Sequence, residues 1–227
     1  MSRRGEISPV ARESTASYIA RELRTAIMYG TLPPGAQLGE AALAAQLKVS
    51  RGPLREAMQR LVQEGIVRSE PNRGLFVIEL DDDDIRDVYL ARSAIERAAV
   101  RAILQRDTDK AVAALHEPLR QMVEAADGPD LRALSDADLA FHEVLVDLAQ
   151  SPRLRRMHQT LLVETRMCMA ELERTYQRPE GVVDEHRGIV EALRSRDAQR
   201  LDEIITAHMD DALARLVSDN QPKPMLT

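Results

Sequence analysis

The N-terminal third of the chain alternates helical stripes with turn signals in an order that few folds accommodate. A helical stripe over residues 14–29 precedes a Pro-Pro-Gly turn at 33–35. Residues 40–47, rich in Ala and Leu, predict a short second helix, and residues 51–64 predict a third. Two short apolar strands around a polar turn then predict a hairpin over 66–78. Helix, turn, helix, short turn, helix and hairpin is the order of a winged helix-turn-helix.

Beyond Leu80 the sequence carries only helical patterns. Four consecutive aspartates at 81–84 favour the N-terminus of the first of these helices, because negative charge interacts favourably with that end of the helix dipole. The breaks between the helical segments are short, which predicts an antiparallel bundle and a mainly α chain. We predict six bundle helices, at about 82–106, 108–126, 130–150, 153–176, 181–195 and 197–217.

Charge is distributed unevenly along the chain. Residues 1–78 hold 11 Lys and Arg against 7 Asp and Glu, a net of +4, whereas residues 79–227 hold 20 against 30, a net of −10. A solvated helix surface would also explain the first value, but such asymmetry is typical of a nucleic-acid-binding part joined to something else. We therefore divide the chain into a DNA-binding winged helix-turn-helix domain at 1–78 and an all-helical domain at 79–227.

Apolar runs and cysteine usage predict the compartment. No run approaches the roughly 18 apolar residues that a membrane-spanning helix needs. The single cysteine, Cys168, excludes an internal disulfide and fits a reducing environment. It lies in a helical run with no neighbouring histidine, so we expect a packed, inert thiol. The expected location is the cytoplasm, without a membrane partner.

The third predicted helix carries the residues expected to read DNA. Arg51 and Arg55 are four residues apart, so they project from one face near the helix N-terminus, where arginine can pair bidentately with guanine. Ser50 is placed to cap this helix, whose amide end would attract a phosphate. Arg73 and Gly74 lie at the wing tip, within reach of a phosphate or the minor groove. Two such arginines alone would equally suit a solvated helix, but the surrounding fold favours DNA.

The bundle region contains a possible ligand set for a metal. Asp138 and His142 are spaced to share one helix face, and His186 and His208 lie on the fifth and sixth predicted bundle helices. Three imidazoles and a carboxylate suit a borderline divalent ion such as zinc, nickel or manganese. Spacing alone leaves a second interpretation open, in which the Asp/His pair is a surface hydrogen bond and the other histidines are core residues.

The N-terminal motifs resemble those of the GntR family of bacterial transcription regulators, over about residues 14–78. The matching segments are Gly30-Thr31-Leu32-Pro33-Pro34-Gly35-Ala36-Gln37-Leu38, Leu43-Ala44, Val49-Ser50-Arg51, Pro53-Leu54-Arg55-Glu56-Ala57, Leu61, Glu64-Gly65, Pro71 and Arg73-Gly74. The resemblance implies that Arg51 and Arg55 read bases or adjoining phosphates and that the wing enters the minor groove. Gly52 stands where the family often has Thr or Ser, and Ala41 where some members have a DNA-contacting arginine. These departures affect the operator sequence rather than DNA binding itself.

Residues 82–217 resemble the all-helical ligand-binding domain of the FadR subgroup, called the FCD domain. Its metal-binding members carry D-x-x-x-H on one helix and a histidine on each of two later helices. Asp138, His142, His186 and His208 fill all four positions. The resemblance therefore implies a bound divalent metal, zinc before nickel or manganese.

The same resemblance implies a small carboxylate effector at open coordination positions of the metal. Arg92 matches a family arginine that faces the cavity from the first bundle helix, and arginine pairs well with carboxylate. Arg166 on the fourth bundle helix is a second candidate for effector binding, with a surface position as its alternative. His116 and His158 match no motif position, and we expect them to be structural or exposed.

Together these features predict a homodimeric, ligand-responsive regulator, a repressor, that binds a pseudo-palindromic operator in double-stranded DNA. One alternative is a DNA-binding dimer without metal or ligand sensing. Another is a metal-dependent hydrolase, because three histidines and an aspartate also suit hydrolysis. His142-Glu143 begins an H-E-x-x-H motif, but Val146 occupies its last position, and the sequence shows no nucleophile elbow, P-loop or dinucleotide fingerprint. We therefore predict that the chain is not an enzyme.

Overall fold

The computed structural model describes residues 14–172 and 179–219 of the 227-residue chain. The chain divides into two compact units, with the boundary between Ile78 and Glu79. The described residues are mainly α-helical, as the sequence predicts. None of the helices in these two ranges is both long enough and apolar enough to cross a membrane.

The first unit is the predicted winged helix-turn-helix. Its two strands form an antiparallel wing in which Val67 pairs with Val77 and Glu70 pairs with Gly74. The backbone N–H of Leu38 donates to the carbonyl of Leu75 at 2.8 Å, so that the turn before the second helix lies alongside the wing. The elements are α1 (Thr15–Met28), α2 (Glu40–Leu47), α3 (Arg51–Gln63), β1 (Val67–Glu70) and β2 (Gly74–Val77).

An apolar core and one ion pair fix α3 in the first unit. The inner face of α1 buries Ile19 and Leu23 against α3, which buries Leu54 and Leu61. Arg24 of α1 donates from Nε and Nη2 to the carboxylate of Glu64, immediately after α3, at 3.0 and 2.7 Å. The opposite face of α3, which includes Arg51, Arg55 and Gln59, is exposed.

The second unit is a bundle of helices joined by short connections, as predicted. Its first helix begins where the aspartate run predicts, because the side chain of Asp81 accepts from the backbone N–H groups of Asp83 and Asp84. The predicted end of the fourth bundle helix, at 176, lies outside the described residues. The helices are α4 (Asp82–Leu104), α5 (Thr108–Ala126), α6 (Leu131–Leu148), α7 (Pro152–Leu172), α8 (Pro179–Arg194) and α9 (Ala198–Asp219).

The packing of this bundle brings four helices to one interior point. Helix α4 packs on α6, α7 and α9, and α8 packs on α5 and α9. Most of the interior is apolar, with Phe141, Leu145 and Ile189 among its fully buried side chains. The inner faces of α4, α6, α8 and α9 nevertheless also carry buried charged and imidazole groups. Such groups need partners inside the protein.

Candidate metal centre and DNA-reading surface

Four buried side chains converge in the bundle. Asp138 and His142 lie one turn apart on α6, and α8 and α9 each add one histidine, His186 and His208. Each residue offers one ligand atom, and these four atoms all lie within 4.8 Å of one another. The structure thus brings together all four residues that the sequence singled out, and the surface interpretation of the Asp/His pair is excluded by burial of both residues.

All three imidazole rings are held through Nδ1. His142 Nδ1 lies 2.6 Å from Glu96 Oε2, His208 Nδ1 lies 2.7 Å from Glu185 Oε2, and His186 Nδ1 lies 2.7 Å from the Val182 carbonyl. An ionised carboxylate and a carbonyl can only accept, so each Nδ1 carries the hydrogen. Each Nε2 is therefore left to face the centre of the cluster as a potential donor of its lone pair to a metal.

The Nε2 atoms lie close to one another. His142 Nε2 is 3.1 Å from Nε2 of both His186 and His208, and Asp138 Oδ1 is 3.1 Å from His186 Nε2. Three nitrogen lone pairs and a carboxylate oxygen facing one point suit a shared cation. The donor set and its geometry therefore fit a divalent metal such as zinc.

The charges of the cluster depend on burial and on Asp138. Burial lowers the pKa of His142 to about 3, so this imidazole is neutral near pH 7. Burial also acts to lower the pKa of His186, but the hydrogen bond and the negative charge of Asp138 outweigh it and raise this pKa above its ordinary value. Burial acts to raise the pKa of Asp138, but His186 outweighs it, and the carboxylate stays ionised. In the absence of a metal, a proton on His186 is the natural partner of Asp138.

A small cavity lies directly against the cluster. Its volume is about 10 Å³, roughly the room for one water molecule. Arg92 enters it from α4 with its guanidinium 5.8 Å above the Tyr89 ring. Among the residues that the structure describes, the buried Nη2 of Arg92 has no hydrogen-bond partner. The cavity is lined by Tyr89, Arg92, Asp138, Met169, Val182, His208, Ala212 and Arg215.

A buried carboxylate that sequence reasoning missed lies behind the cluster. Glu96 is fully buried and accepts from His142 Nδ1, from Arg92 Nε at 2.8 Å and from His158 Nε2 at 3.3 Å. Burial acts to raise the pKa of Glu96, but His142 and Arg92 outweigh it and hold the pKa well below its usual range. The signal for this pairing that the sequence offered was the spacing of four residues between Arg92 and Glu96 on one helix. His158 is structural, as expected, whereas His116 is exposed.

Arg166 occupies a different place from the one expected of an effector ligand. Its side chain is buried, which excludes the surface alternative, and its Nε lies 3.1 Å from Oδ1 of Asp136. It does not line the cavity beside the cluster. The structure thus brings Arg92 to the candidate metal centre but not Arg166.

The predicted DNA-reading residues lie on the open face of α3. Arg51 and Arg55 are both exposed, and Arg55 Nε donates to Glu40 Oε2 of α2 at 2.7 Å. Ser50 occupies the N-cap position with an extended backbone, but its hydroxyl makes no capping hydrogen bond, contrary to our expectation. Pro53 stands at the third helical position and has no N–H, so it removes one of the two backbone donors that a capping hydroxyl can use.

The wing tip is shaped by backbone geometry that glycine favours. Gly74 has a φ of +105°, and a Cβ there would lie 3.4 Å from Nε2 of Gln37. That amide nitrogen donates to the Arg73 carbonyl at 2.6 Å, which anchors the tip to the preceding turn. The Arg73 guanidinium is exposed, contacts Glu70 and lies 5.1 Å from the Phe76 ring. The tip therefore presents a positive charge on a constrained turn.

Comparisons with known proteins match both units. A model of the gntR family of bacterial regulatory proteins matches residues 15–77, and a model of the FCD domain matches residues 87–211. The gluconate operon transcriptional repressor of Bacillus licheniformis is 28% identical over 212 residues, or 91% of this chain and 87% of that one. The transcriptional repressor RspR of Escherichia coli is 26% identical over 193 residues, or 85% of each chain.

A solved structure agrees with the fold. McbR/YncC of Escherichia coli matches with a TM-score of 0.78 at 23% identity, covering 92% of this chain and 99% of that one. A winged helix-turn-helix followed by an all-helical unit with a buried polar centre defines a DNA-binding transcription regulator with a separate helical domain. The chain belongs to the GntR family of bacterial transcription regulators and carries an FCD domain.

Proposed function

We propose that this chain is a ligand-responsive repressor that binds a pseudo-palindromic operator as a homodimer, under the control of a small carboxylate effector at a divalent-metal site. The observation that carries the proposal is the convergence of four buried ligand atoms within 4.8 Å of one another. Beside them lies an arginine whose buried Nη2 has no partner among the described residues. The relatives named as repressors favour repression over activation.

Asp138, His142, His186 and His208 would hold the metal. Zinc suits three imidazoles and one carboxylate best, and nickel and manganese are the alternatives. A bound divalent ion would supply the positive charge that draws an anion into this part of the bundle. The chain already prepares the donors, because Nδ1 of each ring is held and each Nε2 faces inward.

Arg92 would bind the effector's carboxylate. Its Nε is held by Glu96, so that Nη2 remains to donate to an anion in the cavity. The cavity of about 10 Å³ is too small for an organic acid, so side chains that line it must move when the effector enters. Met169, an unbranched side chain, is the most adaptable part of this wall. Arg166 is paired with Asp136, and its role as an effector ligand remains a prediction.

The open face of α3 and the wing would read the operator. Arg51 and Arg55 would enter the major groove, and Arg73 beside Gly74 would reach the minor groove or its phosphates. The hydroxyl of Ser50, which makes no capping bond, and the amide end of α3 would bind a phosphate. Two copies of this surface, related by a two-fold axis, would require a pseudo-palindromic DNA site.

Control of DNA binding requires that the effector prefer one conformation of the dimer. An effector shifts such an equilibrium only by its difference in affinity for the two states. Side chains that line the cavity must move when the effector enters, and this movement would make the effector's affinity differ between the two conformations. The proposal therefore predicts that operator affinity changes with effector concentration and that the change depends on the metal.

The test begins with a thermal-shift screen of small carboxylates, run with zinc and again with a chelator. Compounds that bind the native state raise the melting temperature, and we expect them to do so only with zinc present. Operator affinity is then measured by fluorescence anisotropy on DNA selected by the wild-type chain, with and without the active compounds. Arg92→Met should lose the response and retain operator binding. If neither the operator affinity nor the melting temperature changes with zinc, with chelator or with any carboxylate, the result would instead support a DNA-binding dimer without metal or ligand sensing.

A further inference from the structure

Glu96 contacts one proposed metal ligand, His142, and the proposed effector-binding residue, Arg92, but it is itself neither a metal ligand nor an effector ligand in the proposed site. Its Oε2 accepts from His142 Nδ1 at 2.6 Å, and its Oε1 accepts from Arg92 Nε at 2.8 Å and from His158 Nε2 at 3.3 Å. Both oxygens are therefore committed to protein donors. Because Glu96 binds the Nδ1 side of His142, it lies away from the Nε2 atoms that face the proposed metal, and it orients one ligand ring and one arginine at the same time.

Glu185 has the same relation to a second histidine and a second arginine. Its Oε2 accepts from His208 Nδ1 at 2.7 Å, and its Oε1 lies 3.6 Å from Nη2 of Arg215. Arg215 and His208 both line the cavity beside the cluster. A glutamate that contacts one ligand histidine and one arginine therefore occurs twice, once on α4 and once on α8. The histidine and the arginine come from different helices in the two cases.

We infer that Glu96 and Glu185 are positioning residues of the metal centre, each holding one ligand histidine and one cavity-lining arginine. This inference rests on the proposed metal site. A carboxylate at Nδ1 fixes the tautomer and the ring orientation and makes Nε2 a stronger ligand. The third ring, on His186, is held by the Val182 carbonyl of its own helix. Two of the three rings therefore depend on carboxylates, and the third does not.

The zinc affinity of Glu185 variants tests the inference. The Glu185 side chain is only partly buried, so we expect its replacement to leave the apolar core intact. Dissociation constants are measured on the full chain by competition with a chelator. We expect Glu185→Ala to weaken zinc binding by about 10- to 100-fold. Glu185→Gln should lie between it and the wild type, because an amide oxygen still accepts from Nδ1 but carries no charge.

Asp184 supplies the matched control. Its side chain is 69% exposed, and it pairs with Arg187 rather than with a ligand ring. Asp184→Ala removes the same charge one residue away, and we expect zinc affinity to stay within about twofold because exposed charges interact weakly. Equal losses in Asp184→Ala and Glu185→Ala would mean that surface charge, and not ring positioning, governs affinity, and would overturn the inference.

Glu96→Gln tests the buried member of the pair, with Glu143→Gln as its control. Glu143 follows a ligand histidine but is exposed, so its replacement removes a charge near the site without releasing a ring. We expect Glu96→Gln alone to lower zinc affinity, by about 10-fold at the low end of the range for such positioning groups, because the amide oxygen still accepts from Nδ1 but carries no charge. If this variant does not fold, the Glu185 series decides the matter.

The tautomer of His208 gives a readout that does not require metal. Long-range ¹H–¹⁵N correlation spectra of the metal-free chain report which ring nitrogen carries the hydrogen. We expect the Nδ1–H tautomer in the wild type and in Asp184→Ala, and a mixture of tautomers in Glu185→Ala. Unchanged tautomer and unchanged zinc affinity in Glu185→Ala would overturn the inference. A wild-type chain that binds no zinc would defeat the proposed function instead, while the spectra would still test the positioning.

Discussion

Zinc should raise the melting temperature of the metal-stripped chain by several degrees. The ligand residues come from three separate helices, and the rings are held by groups on α4 and α8, so only the folded bundle assembles the site. Binding confined to the native state stabilises it by about 2.7 kcal/mol when free zinc is at 100 times the dissociation constant. For a bundle unit that runs from Glu79 to Thr227, this corresponds to a rise of about 5–11 °C.

Differential scanning calorimetry measures this shift on protein dialysed against a chelator and then against zinc. The matched variant is His208→Ala, which removes one ligand at a site that is 6% exposed and should keep the fold at a lower starting melting temperature. We expect its zinc-induced shift to fall below about 2 °C, because the variant binds zinc weakly. Equal melting temperatures with zinc and with chelator in the wild type would refute the reasoning. So would a shift in His208→Ala as large as that of the wild type.

Three further results are expected. Arg51→Ala and Arg55→Ala should each lower the preference for operator over unrelated DNA by about 5- to 150-fold without changing the melting temperature; retained preference in footprinting would contradict this. Burial raises the pKa of the Cys168 thiol to about 12, so a thiol-specific reagent at pH 8 should modify it only after unfolding, and rapid labelling of native protein would contradict this. Zinc affinity should fall as the pH drops through the raised pKa of His186, because a proton then competes for Nε2; an affinity independent of pH between 6 and 8 would contradict this.

The starts of the bundle helices were predictable because short polar caps mark them. Asp81 caps α4, and Asp107 and Asp130 accept from backbone N–H groups at the starts of α5 and α6. These signals act within three residues of the chain, so they can be recognised in the sequence. The predicted starts of these helices agree with the structure to within one residue.

The role of Glu96 was not predictable in the same way. At four residues from Arg92 on a helix, it has the spacing of an ordinary surface ion pair. Its contact with His142 joins residues 46 positions apart and depends on how α4 packs on α6. The four candidate ligands were found because histidine and aspartate are typical metal-binding residues and because these four fill every position of a family motif, whereas a glutamate in a highly charged chain carries no such signal.

The capping prediction at Ser50 failed for a reason that the sequence contained. Pro53 is favourable in the first turn because its missing N–H costs nothing there, but that same N–H is one that a capping hydroxyl would use. The two local rules compete, and the structure shows the hydroxyl without a capping bond. A DNA phosphate then becomes the expected partner of this helix end.

We propose that each chain holds one divalent metal, bound by Asp138, His142, His186 and His208. Elemental analysis measures it most directly, on wild-type protein and on His186→Ala after equilibration with zinc and removal of the free metal. We expect one zinc per wild-type chain and less than about one tenth of that in His186→Ala, because the variant lacks one of the four ligands. A wild-type chain without stoichiometric metal, or a His186→Ala variant with full occupancy, would contradict it.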